Sequence, residues 1–167
     1  MSAPKTIEEL PAVVSDLFHG DMPTEEQIDR LEAELLKLER TAGAPSLYAQ
    51  GHHAPGFYGR SVTIPAGTVL VGLAHKTAHL NVCVGDISVR TERGIERLQG
   101  IHLVPSEAGT RRVGFAHSDT VWICIHDNPT GETDPNVLAA MLVHEPHKLL
   151  ENRMHRAIDN DPSLKVH

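Results

Sequence analysis

Residues 64–126 read IPAGTVLVGLAHKTAHLNVCVGDISVRTERGIERLQGIHLVPSEAGTRRVGFAHSDTVWICIH. Short apolar runs are cut by turn residues at Pro65-Ala-Gly67, Gly85-Asp86, Arg93-Gly94 and Ala108-Gly109. The spacing predicts strands over 61–65, 69–75, 79–84, 86–91, 95–98, 101–104, 112–117 and 120–126. Strands this short and this evenly spaced imply an antiparallel all-β barrel or sandwich.

On either side the patterning changes. Thr24 and Gln27 stand where a capping box needs them. Ile28, Leu31, Leu35 and Leu38 then form one apolar stripe on a helix ending near Arg40 to Gly43, with Glu26 and Arg30 as a surface pair. The stripe suits either a short coiled coil or docking on the barrel. An earlier helix is expected over Thr6 to Phe18, begun or interrupted at Pro11. Residues 46–60, SLYAQGHHAPGFYGR, read as an irregular connection, in which His52 and His53 could edge a pocket. After a polar loop at 127–136, Pro135 to about Ile158 reads as a helix broken near Pro146, with a frayed end beyond it. Three regions result: a helical arm at 1–45, a barrel at 46–128, and a loop and helix at 129–167.

Composition narrows the function classes. The 167 residues carry a formal charge of −7, which disfavours non-specific nucleic-acid binding through the whole surface. No apolar run approaches the roughly 18 residues needed to cross a bilayer. The acidic start, MSAPKTIEEL, lacks a signal-peptide core, and Cys83 and Cys124 read as buried free thiols. A cytoplasmic setting is expected. No Walker loop, GxGxxG, HExxH or GxSxG pattern is present.

The chemistry rests on histidines. His75 and His79 are four apart, and His117 and His126 close the last two barrel strands. Imidazoles converging from different strands suit a divalent transition metal such as Zn, Fe, Ni or Mn. The alternative is ordinary hydrogen-bonded barrel histidines. Strand parity puts His75 with Val69, Val71 and Leu73, and His117 with Val113 and Phe115, so these two are expected to share the interior. It puts His79 with Asn81 and Cys83, opposite Leu80, Val82 and Val84, so His79 points out if the apolar set points in. Lys76, Arg111 and Arg112 add positive charge; at the barrel mouth, Lys76 and Arg112 would bind an anionic ligand.

The words HKxxHLN at 75–81, GDISV at 85–89, PSxAGTxR at 105–112 and AHSDTVW at 116–122, with Ile125-His126, resemble the cupin superfamily. More narrowly, they resemble cupin-like proteins encoded by bacteriophages. The resemblance covers about residues 57–128 and implies a jelly-roll barrel with a metal site between two signatures. The glutamate of the first signature is absent, with His79 the nearest substitute, and Arg112 stands where the second expects His. For a phage-encoded protein the setting would be the host cytoplasm. Three functions follow as expectations: a metal-dependent small-molecule enzyme; a non-catalytic protein sequestering a small anion such as a nucleotide or sugar phosphate; or an assembly protein, with a homodimer as the expected state.

Overall fold

The computed structural model describes residues 6–42, 48–91 and 93–147. Seven antiparallel strands form one curled, jelly-roll-like sheet: β1 (Tyr48–Ala54), β2 (Gly56–Ile64), β3 (Val69–Val71), β4 (His79–Thr91), β5 (Gly94–Ser106), β6 (Val113–Ala116) and β7 (Thr120–Asn128). Their order is β1-β2-β7-β4-β6-β3, with β5 added along β4. The mainly β expectation therefore holds. No helix among the described residues is long and apolar enough to cross a membrane.

Several predicted boundaries move. Residues 46–60, expected to be irregular, supply β1 and the start of β2, which pair from Tyr48↔Thr63 to Ala54↔Phe57. The hairpin turns at Pro55-Gly56, and Gly56 takes φ +81° there. The predicted pairs of strands at 79–84 and 86–91, and at 95–98 and 101–104, are each one 13-residue strand. Gly85-Asp86 is a crease within β4, not a turn. Before it, Leu80–Val84 pair with β7; after it, Ile87–Val89 pair with β6. Gly85 sits at φ +145° against Thr120, where a Cβ would lie 2.5 Å from Oγ1 and 2.8 Å from Cα. Only glycine fits that approach. The Asp86 amide, displaced by the crease, donates to Thr120 Oγ1 at 3.1 Å.

The helical arm packs on β6. Over 6–18, where a helix begun or interrupted at Pro11 is expected, lie a 3-10 turn at Ile7–Glu9, helix α1 (Ala12–Ser15) starting directly after Pro11, and a second 3-10 turn at Asp16–Phe18. Helix α2 (Glu25–Ala42) follows, with its capping box formed: Thr24 N donates to Gln27 Oε1 at 2.8 Å and Gln27 N to Thr24 Oγ1 at 3.2 Å. Ile28 and Leu31 join Val14, Leu17, Phe18, Val113 and Phe115 in one buried cluster. The described part of the stripe thus docks within the chain; the side chain of Leu38 lies outside the described residues. Buried Arg111 fastens the same face. It reaches Asp29 at 2.7 Å, Glu32 at 2.9 Å and Glu25 at 3.2 Å, three acids one helical turn apart on α2.

Helix α3 (Pro135–Leu142) closes one end of the barrel. Asp134 caps it by accepting from the amides of Asn136 and Val137. It is interrupted close to the break expected near Pro146: Val143 leaves the helix to bridge His75, Lys76 N donates to Leu142 O and His144 N to Ala74 O, and residues 146–147 are helical again. The continuation expected beyond residue 147 lies outside the described residues. Leu138, Ala139, Leu142 and Val143 pack on Tyr58 as a second cluster.

Candidate metal centre and cavity

The sheet encloses a cavity of about 190 Å³. Its walls are apolar over Val62, Ile64, Leu70, Ile87, Val89 and Trp122, and its polar end carries His75, His79 and His126. Register explains the last two. β4 and β7 pair from Leu80↔Ile125, so His79 and His126 are the next facing positions on the inner face. His75 arrives differently: β3 has ended at Val71, and the chain over 72–78 turns, pinned by the Val143 bridge.

The three rings form a tight group. Ring centroids are 4.2 Å apart for His75–His79, 4.7 Å for His79–His126 and 4.8 Å for His75–His126. His75 Nδ1 and His126 Nε2 lie 3.1 Å apart, one donating to the other. His79 Nδ1 donates to Thr77 O at 3.1 Å, because a carbonyl can only accept. That bond orients the ring and leaves Nε2 as its lone-pair nitrogen. Burial is the main force holding the imidazoles neutral. It pushes His75 down to about 3, helped by His79, His126 and Arg60. His126 is pushed down to about 4, by burial first and His79 second. His79 is lowered by burial and Arg112, against its bond to Thr77.

The donor set fits a divalent transition metal. One ligand nitrogen from each ring lies within 4.8 Å of the others. Two nitrogens on one tetrahedral ion would sit about 3.4 Å apart, so the rings would have to draw together by up to about an ångström or more to hold it. His126 Nδ1, on the ring edge away from His75, is buried without a hydrogen-bond partner among the described residues.

The structure sorts the predicted residues. His75, His79 and His126 converge. His117 does not: its Nε2 bonds Ser88 Oγ at 2.7 Å and its ring stands edge-on to Phe115 at 4.9 Å, away from the cavity. The face it shares with Val113 and Phe115 is buried, but beneath the helical arm rather than inside the barrel. The parity argument for His79 also reverses. Asn81 and Cys83 are buried, while Leu80 and Val84 face out at 38% and 40% exposure. Lys76 is not on the cavity wall; its Nζ donates to Ala140 O at 2.6 Å and fastens α3. Arg112 lines the cavity. His52 and His53 sit on the exposed β1 strand, and His52 Nε2 bonds Ser61 Oγ at 2.8 Å.

Sequence reasoning noted Tyr58 only beside His52 and His53 and did not bring Arg60, Asn81 or Cys124 to the site; all four are on the cavity wall. The alternation Tyr58, Arg60, Val62, Ile64 was the available signal, hidden because 46–60 read as a loop. Both cysteines are free. Burial pushes the Cys124 thiol up to about 11, against the opposing pull of Arg60.

No protein-family model matches the chain, and no curated protein matches it. Among solved structures, KdgF from Halomonas sp. is similar over 55% of this chain and 85% of its own, at 18% identity and a TM-score of 0.44. Ectoine synthase from P. lautus is similar over 52% and 66%, at 15% identity and 0.44. A Cupin_2 domain of an XRE family transcriptional regulator from Enterobacter cloacae is similar over 49% and 97%, at 12% identity and 0.41. These likenesses concern the fold alone. What the chain itself shows is one curled, antiparallel, jelly-roll-like sheet of seven strands among the described residues.

Proposed function

We propose that this chain is a metal-dependent enzyme acting on a small molecule held in the barrel. The observation that carries the reading is the convergence of His75, His79 and His126 at the polar end of an otherwise apolar cavity. A bound divalent metal would supply Lewis acidity or an activated water there. The chain supplies the rest. His75, His79 and His126 would hold it with three ligands, which would leave coordination positions for water or substrate. Burial keeps the rings deprotonated at neutral pH, the form that binds metal. Thr77 O fixes the His79 tautomer, and Val143 holds the backbone at His75. Apolar walls exclude bulk water around the reacting group.

The test is elemental analysis of protein purified without a histidine tag. Close to one Zn, Fe, Ni or Mn per chain is expected, falling to background in His75→Gln and His126→Gln. A blank result in folded protein after incubation with each metal refutes the proposal. A second reading is favoured by Arg60 and Arg112 on the same wall: a protein that binds a small anion without converting it. Metal-loaded protein that binds a ligand and returns it unchanged supports that reading.

A further inference from the structure

We propose that the cavity takes a compact carboxylic acid, its apolar body against the barrel walls and its carboxylate held by Arg60 and Arg112. The inference rests on the reading that the histidine group and the substrate share this cavity.

Arg60 belongs to the inner face of β2. It stands opposite Cys124, between Tyr58 and Val62 on the same side of the strand. Arg112 enters from the segment before β6 and is set by a chain of hydrogen bonds. Trp122 Nε1 donates to Asn81 Oδ1 at 3.1 Å, and Asn81 Nδ2 donates to Ser106 Oγ at 2.7 Å. Arg112 Nη1 donates to the same Ser106 Oγ at 2.6 Å, and Nη2 to Pro105 O at 3.4 Å. Asn81 is 1% exposed and Ser106 4% exposed, so this support is internal and ordered. A guanidinium held by a buried network presents a fixed fork, the geometry that matches a carboxylate. Both positive charges reach the polar end: Arg60 acts on His75 and Cys124, and Arg112 on His79 and Cys124.

The rest of the lining decides the body of the ligand. Two guanidinium groups and three imidazoles occupy one end, and aliphatic side chains with Trp122 make up most of the remainder. A sugar or nucleotide brings several hydroxyls, each costing free energy when buried without a partner. Such walls offer few partners and suit a hydrocarbon body. Size agrees: an apolar cavity of about 150 Å³ holds benzene, and this one measures about 190 Å³. One ring or a short branched chain, plus the acid group, fills it.

The experiment is calorimetric titration of the full chain with benzoate, hexanoate, benzamide, phenyl phosphate and glucose 6-phosphate. Each is run with metal and again in chelator, and metal content is measured in parallel. Benzoate and hexanoate should bind in both states, and benzamide, the uncharged mimic, at least about tenfold more weakly. Arg60→Gln and Arg112→Gln should each weaken benzoate by about tenfold or more, and Ser106→Ala by a smaller factor, because it loosens Arg112 without touching the ligand. Metal content should stay unchanged in Ser106→Ala. Equal affinity for benzoate and benzamide in the unaltered protein overturns the inference without need of any variant. So does tighter binding of glucose 6-phosphate or phenyl phosphate than of either acid, or no binding of any acid at millimolar concentration. A blank metal analysis with intact benzoate binding removes the metal proposal and leaves this one standing.

Discussion

Lowering the pH from 7 to 5 should destabilise the metal-free protein through His75 and His126. Both rings are held below the ordinary 6.5, at about 3 and about 4, mainly by burial. At pH 7 the folded and unfolded chains both keep them neutral, and their contribution is fully present. As pH falls below 6.5 the unfolded chain takes up protons that the folded chain refuses, so stability drops until the folded values are reached. At pH 5, about 1.5 units below the unfolded value, each ring would cost about 2 kcal/mol. The rings neighbour one another and one end of the cavity meets solvent, so the pair together is discounted to about 2–3 kcal/mol. In a domain of this size that lowers Tm by roughly 5–10 °C. Asp86, held down to about 2 by its hydrogen bonds to Arg97, moves stability only below the usual carboxylate range and leaves this window undisturbed. Circular-dichroism melts in chelator at half-unit pH steps measure the effect, with the double variant His75→Gln/His126→Gln as control. A Tm constant between pH 7 and 5, or an equal slope in the double variant, would refute the reasoning.

Three further outcomes are expected. Gly85→Ala should cost at least about 2 kcal/mol in urea unfolding, since its Cβ would collide with Thr120 at a backbone angle that disfavours side chains. Phe18→Ala should cost about 3–5 kcal/mol, because Phe18 is fully buried between the arm and the sheet; metal content should survive wherever the variant stays folded. His117→Gln should cost about 1 kcal/mol by losing its Ser88 contact, yet leave metal content as in the unaltered protein, whereas His126→Gln removes it. Elemental analysis of the two side by side separates the two histidines.

Alternation and turn residues were enough to reveal a mainly β chain. The helix start at Thr24 was legible because a capping box is local, closed within three residues. Gly85-Asp86 misled because glycine serves a turn and a crease equally well; the neighbour that demands it, Thr120, is 35 positions away. Gly100 faces Gly85 across β4 and β5 and shares its positive φ, so the two glycines mark one bend rather than two loops.

The candidate site shows the same division. His75, His79 and His126 were all visible as candidates, because residue type alone makes an imidazole a ligand. Which of four would meet was not visible. Parity assigns side chains to two faces but cannot say which faces the barrel when both are covered, as on β6, where Phe115 lies under the arm and Gly114 lies against Ile87 and Leu70. Amino-acid order by itself determined the mainly β class, the first cap of α2 and the stock of donors. Only the folded sheet decided that β4 turns its polar side inward, that Val143 pins His75, and that Arg60 and Arg112 share a wall. Those outcomes depend on pairing between distant residues, 68 positions for His75 and Val143 and 72 for Gly56 and Asn128, and long-range register is set by the burial of the whole sheet rather than by any local preference.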